Sequence, residues 1–238
     1  MYEKMQTIDK IKDIMKETQL FNDNIKRLWK KKRSYSMTIS KDYGRRNAAI
    51  QWQYEKIMEE EMQLVKGRPE NTDDRLAKEV RVYDLLDSLS IEYERVDHEA
   101  ANTMEDCEEV DKILDATVCK NLFLCNTQKT KFYLLMIVGD KKFKTKEISS
   151  QINSPRLSFA SPEFMEKYLD ITPGSVSVMG LMNDTDNAVR LLVDEELLDG
   201  EYIGCHPCIN TSSLRFRTKD LIEKILPAMH HDMTVVKL

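Results

Sequence analysis

Apolar positions recur at helical spacing in the first third of the chain and at strand spacing through much of the rest. Met5, Ile8, Ile11 and Met15 mark an amphipathic helix over residues 3–20. A second helical stretch, 22–33, ends in the basic run Lys26, Arg27, Lys30, Lys31, Lys32 and Arg33. After the polar break Ser34–Ser40, Asp42 is placed to cap a long helix reaching about Lys66, with Ile50, Tyr54, Ile57 and Val65 towards one face. Gly67 and Pro69 stop it inside GRPENTDD. That polar stretch divides a helical, basic extension, residues 1–72, from a domain over residues 73–238.

The texture then changes. LAKEVRVYDLLDSLS predicts a helix with Val80, Tyr83 and Leu86 inward, and IEYERVDH alternates as a strand ending at His98. MEDCEEVDKILDAT predicts a helix. VCKNLFLCNT and KFYLLMIVG predict two strands joined by the polar turn QKT. The second of these is nearly all apolar, which predicts burial on both faces. KTKEISSQIN and SPEFMEKYLD predict short helices, the latter with Pro162 at a helix-starting position. SVSVMGLMN, VRLLVDEEL, YIGCHPCIN and SLRFR predict strands, and KDLIEKILPAM predicts a closing helix ended near Pro227. Helices and strands interleave irregularly, so the fold class is α+β, a mixed central β-sheet flanked by helices.

Composition adds little to the fold. With 41% hydrophobic residues the chain can fill a core, and its few Gly and Pro leave no long linker. Charge is more informative, because it is unevenly spread. Residues 1–75 hold 17 Lys/Arg against 13 Asp/Glu, and the remainder 19 against 28. A basic arm of this kind either meets an anionic partner or presents a solvated helical surface. Lys30, Lys31, Lys32, Arg33, Arg45 and Arg46 are its candidate phosphate contacts. No apolar run approaches the ~20 residues that span a bilayer, and the charged N-terminus has no signal-peptide core. The expectation is a cytoplasmic protein with no membrane partner and reduced cysteines.

Cys205-His206-Pro207-Cys208 resembles a redox C-x-x-C or half of a zinc site. A redox pair normally opens a helix, where the dipole lowers a thiol pKa; here the strand-like INTSSLRF follows. A structural zinc needs four ligands, and Cys119 and Cys125 lack the spacing of a second pair. Burial of the cysteines as small apolar residues is expected, with no metal. His230 and His231, in the C-terminal tail, are expected to be solvated.

Four stretches carry a family resemblance: VYDLLDSLSIEYERVDH, ATVCKNLFL, ITPGSVSVMGLMND and GCHPCINTSSLRF. In this order and at these intervals they resemble the YbaK/prolyl-tRNA synthetase-associated editing domains. Among the branches, GSVS, GLMND and HPCINTSS look most like the one that deacylates alanyl-tRNA for proline. The resemblance implies a trans-editing hydrolase of mischarged tRNA, with tRNA as partner, prolyl-tRNA synthetase as a further partner, and no cofactor. It assigns Lys120, Gly174 and His206 to the catalytic site. It places Asn121, Ser175, Val176, Ser177, Val178, Pro207 and Asn210 at the substrate, with His98 lining the same cleft. The family loop that starts at Gly174 closes with proline, whereas this chain has Val178 and so lacks proline's restraint on φ. A binding module that holds a tRNA 3′ end without catalysis is the alternative.

These residue types suit ester hydrolysis. An aminoacyl-tRNA is an activated ester, so it needs a placed water, donors for a developing oxyanion and a grip on the 3′ end. A lysine holds a phosphate as a point charge. A glycine-led loop exposes backbone N–H groups at close approach, and aimed donors of that kind are usually the largest catalytic contribution. A hydrophobic pocket gains only ~1–3 kcal/mol per methylene, so a synthetase for proline cannot fully reject the smaller alanine. A second, tighter site can admit alanine and exclude proline by size.

Overall fold

The computed structural model of the chain describes residues 63–98, 110–139 and 141–238, which belong to a compact unit spanning Met62–Leu238. The helices expected over 3–20, 22–33 and most of 42–66 lie outside the described residues, as does the basic set from Lys30 to Arg46. In chain order the strands are β1 (Val65–Lys66), β2 (Tyr93–Asp97), β3 (Thr117–Asn126), β4 (Phe132–Val138), β5 (Leu157–Phe159), β6 (Val189–Asp194), β7 (Tyr202–Cys205), β8 (Ser212–Arg217) and β9 (Met233–Val236). The helices are α1 (Ala77–Ser88), α2 (Thr145–Gln151), α3 (Pro162–Leu169) and a C-terminal α4. The last runs through Thr218–Asp220, a π-helical turn at Leu221–Ile225, and Leu226–Ala228. A helical stretch also covers residues 110–114.

The strands pair in the order β1-β2-β8-β7-β3-β4-β6-β9, with β5 beside β3. The β3–β4, β7–β8 and β2–β8 pairs are antiparallel, whereas β3–β7, β4–β6 and β6–β9 are parallel. This is the mixed α+β architecture expected from the irregular interleaving of elements.

β4 organises the core. Side chains alternate across a strand, so Phe132, Leu134 and Met136 enter one buried cluster while Tyr133, Leu135 and Ile137 enter another. Burial on both faces explains why its sequence is continuously apolar. The larger cluster is closed by α1 (Val82, Tyr83, Leu86), by α4 (Leu221, Ile225, Leu226) and by Val178, Met179 and Leu181. The smaller is closed by Ile148 and Ile152 at α2.

Beyond β5, which was not expected, and β7, which stops at Cys205 within YIGCHPCIN, four elements differ from the pattern-based expectation. Val65–Lys66 is extended rather than helical, because it pairs with β2. Val178–Asn183, expected as a strand, is a 3₁₀ helix. Its period-two appearance is misleading, since four consecutive residues, Val178 to Leu181, are buried. Ser177 Oγ caps it by accepting from Met179 N at 3.2 Å. Gly180 lets it sit close: a Cβ there would come 2.5 Å from Ile171 Cδ1 and 3.1 Å from Leu169 O. The strand at VRLLVDEEL stops at Asp194, and Glu195–Asp199 turns as 3₁₀.

The fourth difference is the C-terminal tail, which is not a solvated appendage. It adds β9 in parallel to β6, and His231 is buried with its Nε2 facing Asp184 O at 3.3 Å. Asp184 also accepts from Ala188 N and Val189 N, at 3.0 and 2.7 Å, so this corner is a folding joint. His230 is exposed, as expected. Among the described residues no helix is long and apolar enough to cross a membrane.

Candidate functional site at the fork between β3 and β7

The parallel pair β3–β7 is short. Only Thr117 with Ile203 and Val118 with Gly204 are in register. On the same flank β5 takes over at Leu124–Asn126, and Ala160 N donates to Phe123 O at 2.9 Å. Residues 119–122 therefore have β4 on one side and no sheet neighbour on the other, among the described residues. The sheet forks here. Unpaired main chain in a sheet is a standing offer of donors and acceptors.

Lys120 and Asn121 occupy the fork. Extending the β3–β7 register by two places puts Lys120 level with His206, just past the end of β7. Cys119 and Cys205 both enter the large core, so pleating turns the residues that follow them to the opposite face. Lys120 is half-buried and has no ion-pair partner among the described residues. Asn121 Nδ2 leans on Cys119, with its carbonyl and its Sγ both at 3.4 Å. Its Oδ1 is buried without a partner among the described residues. A buried acceptor left unmatched is costly unless a ligand fills it.

His206 is held from three sides. Ser177 Oγ donates to its carbonyl at 2.5 Å. Its ring Nδ1 lies 3.0 Å from Ser212 O and 3.3 Å from Ser213 Oγ. His98 stands beside it, ring centroids 6.2 Å apart, with Nε2 at 2.9 Å from the same Ser213 Oγ. The His98 backbone N donates to Thr211 O at 3.0 Å. Burial pushes both imidazoles below their ordinary value of 6.5. At His98 the Asp97 carboxylate opposes the shift, whereas at His206 the neighbouring His98 adds to it. Both rings are neutral near neutral pH.

The Gly174 loop reaches the same place. Gly174 has φ +91°, a conformation glycine adopts without strain, and a Cβ there would lie 3.7 Å from Asn210 Nδ2. Ser177 ties the loop to the His206 loop, as above. His98, His206, the Gly174 loop and Asn210 thus meet beside the fork, and Lys120 lies level with His206, whereas Asn121, one residue on, turns to the Cys119 side of β3. Five further expected contacts do not present their side chains there. Ser175, Ser177 and Val178 are buried, Val178 and half-buried Val176 pack on the core, and Pro207 is buried. Ser177 acts on the backbone of His206, and Val178, where the family has proline, turns inward.

The cysteines behave as small apolar residues. Cys119, Cys125, Cys205 and Cys208 are buried free thiols. Burial pushes those of Cys119 and Cys208 up to about 12, far from the thiolate that redox chemistry needs. Among the described residues no group of three or more His, Cys, Asp or Glu is arranged to hold a metal. Pattern reasoning missed Ser213. Nothing in INTSSLRF singles it out, because its meaning depends on β8 pairing with β2, where Ser213 stands opposite Val96.

Residues 98–224, more than half of the chain, match the model of the aminoacyl-tRNA editing domain. The chain belongs to that family. It is 33% identical over 153 residues to the prolyl-tRNA editing protein ProX of Acetoanaerobium sticklandii, covering 64% of this chain and 93% of the relative. It is 28% identical over 157 residues to prolyl-tRNA synthetase associated domain-containing protein 1 of Danio rerio, covering 65% and 84%. The fold is shared with a solved candidate trans-editing enzyme for prolyl tRNA synthetase, with a TM-score of 0.52 at 16% identity over 68% of this chain and 98% of that one. The chain is an aminoacyl-tRNA deacylase, an ester hydrolase whose substrate and partner is mischarged tRNA. This sets aside the reading as a binding module without catalysis.

Proposed function

We propose that this enzyme clears alanine from proline tRNA, with the reacting ester held in the β3–β7 fork. The observation that carries this reading is the open flank of β3 at residues 119–122, among the described residues, where Lys120 lies level with a His206 that Ser177 of the Gly174 loop holds. Lys120 holds a phosphate of the tRNA 3′ end as a point charge. The buried Asn121 Oδ1 accepts from the substrate's α-ammonium group. Backbone N–H groups after Gly174 face the carbonyl oxygen as it gains charge. Water adds to the ester carbon, the bond to the ribose oxygen breaks, and that oxygen leaves as a hydroxyl carrying the proton the water gives up. Selection follows by size, a site that fits a methyl side chain excluding a pyrrolidine ring.

Support for proline tRNA comes from the relative in A. sticklandii, which is named a prolyl-tRNA editing protein. The basic residues Lys30, Lys31, Lys32, Arg33, Arg45 and Arg46 add non-specific contacts to the tRNA backbone, and prolyl-tRNA synthetase is a partner that hands over the mischarged product in the cytoplasm. The test is hydrolysis of proline tRNA loaded in turn with alanine, cysteine, serine and proline. Alanine should be released fastest and proline spared. Preferential release of cysteine or serine would reassign the substrate, and no release of any residue at micromolar enzyme would refute the site. Deleting residues 1–70 should weaken tRNA binding and flatten its salt dependence; an unchanged slope would exclude the arm as a contact.

A further inference from the structure

Ser213 belongs to no assigned set, yet it is the only side chain that touches both histidines of the fork, among the described contacts. The direction of the Ser212 bond follows from the atoms involved, and that of the His98 bond from giving the buried Ser213 hydroxyl an acceptor. Ser212 O is a carbonyl and can only accept, so the proton of the His206 ring sits on Nδ1 and is donated to it at 3.0 Å. Ser213 Oγ, 3.3 Å from that same nitrogen, accepts the remaining share of the N–H. Its own O–H is then left to donate to His98 Nε2 at 2.9 Å. In a neutral imidazole one nitrogen donates and the other accepts. His206 therefore presents a bare Nε2, and His98 carries its proton on Nδ1.

We infer that Ser213 is a positioning residue that joins His98 and His206 into one hydrogen-bonded unit and holds His206 with Nε2 as the acceptor in the fork. This rests on the proposed function for its consequence, since an Nε2 acceptor is what a hydrolytic water would donate to. The assignment itself stands on the bond directions alone. The surroundings agree. Ser213 is buried, so no bulk water competes for its hydroxyl. The backbone on both sides is fixed, by Ser177 at His206 O and by Thr211 at His98 N. Loss of the hydroxyl removes the second anchor of the His206 ring and its tie to His98, leaving Ser212 O alone to hold the ring, so the ring rotates more freely and the second tautomer gains population.

Two measurements on the full chain test this. The first is the ¹⁵N spectrum of histidine-labelled protein at pH 7.5, which distinguishes the tautomers. His206 should show a protonated Nδ1 and a bare Nε2. In Ser213→Ala the two tautomers should mix, and Ser213→Thr, which keeps the hydroxyl, should restore the wild-type pattern. The second is turnover of alanyl-tRNA for proline. Ser213→Ala should lower kcat about tenfold, leave KM within about twofold, and be rescued by Ser213→Thr. An Nε2–H tautomer in the wild type overturns the inference. So does a Ser213→Ala spectrum identical to wild type, or a loss of kcat that Thr does not restore. If the wild type fails to hydrolyse any charged tRNA, the proposed function is what has failed, and the spectra still decide the assignment.

Discussion

The two ends of β3 are made of one strand but live under opposite constraints. From Phe123 to Cys125 the strand has neighbours on both flanks and core on both faces: Phe123 and Cys125 enter the large cluster and Leu124 the small one. From Cys119 to Leu122 one flank is open among the described residues, and past the buried Cys119 the side chains of Lys120, Asn121 and Leu122 are half-buried. The buried end spends its side chains on stability. Among the described residues the open end leaves the buried Asn121 Oδ1 unmatched, a cost that a ligand can recover. The proposed site sits where pairing lapses, beside an end that is well packed.

If that division is right, substitutions at the two ends should fail in different assays. At the packed end, Phe123→Ala should lower unfolding stability by about 3–5 kcal/mol, read by urea denaturation, with turnover falling only as the folded fraction falls. At the fork, Gly174→Ala should lower stability by about 1–2 kcal/mol, because φ +91° strains an alanine. The added methyl meets Asn210 Nδ2 only at ordinary contact distance, 3.7 Å. Turnover should therefore fall by more than the stability loss explains, as the backbone donors are redirected. Equal losses in both assays would make Gly174 a structural glycine only.

A smaller effect tests the histidines. Burial holds the folded-state pKa of His206 below the 6.5 of an unperturbed ring, so as pH falls through 6.5 the unfolded chain takes up a proton that the folded chain refuses. Stability should drop over that window and level off below the folded-state pKa. His206→Gln should reduce the drop when unfolding is compared at pH 7.5 and pH 5. An identical pH dependence in the variant would mean that His206 does not titrate as its burial requires.

How much of this was legible in the sequence differs between the two ends. The packed end was plain, since KFYLLMIV announces a strand with two buried faces and VCKNLFLCNT its partner. Lys120, Gly174 and His206 are proposed through family motifs, because one lysine on a strand carries no chemical signal of its own. Ser213 was hidden, because its role arises from a β2–β8 register between segments more than a hundred residues apart. His231 was misjudged for a related reason. A polar tail after a proline looks solvated until a parallel pairing with β6 draws it inward. The 3₁₀ helix at Val178 mimicked a strand because Ser177 and Gly180 act through capping and close contact, which a two-residue period does not register.

The most direct measurement is single-turnover hydrolysis of alanyl-tRNA for proline by wild type and by Lys120→Ala, with urea unfolding of both proteins alongside. With Lys120 at the open end, its loss should slow hydrolysis about a hundredfold while changing stability by no more than ~0.5 kcal/mol. Equal rates, or a slower rate matched by a comparable loss of stability, would contradict the placement of the site in the fork.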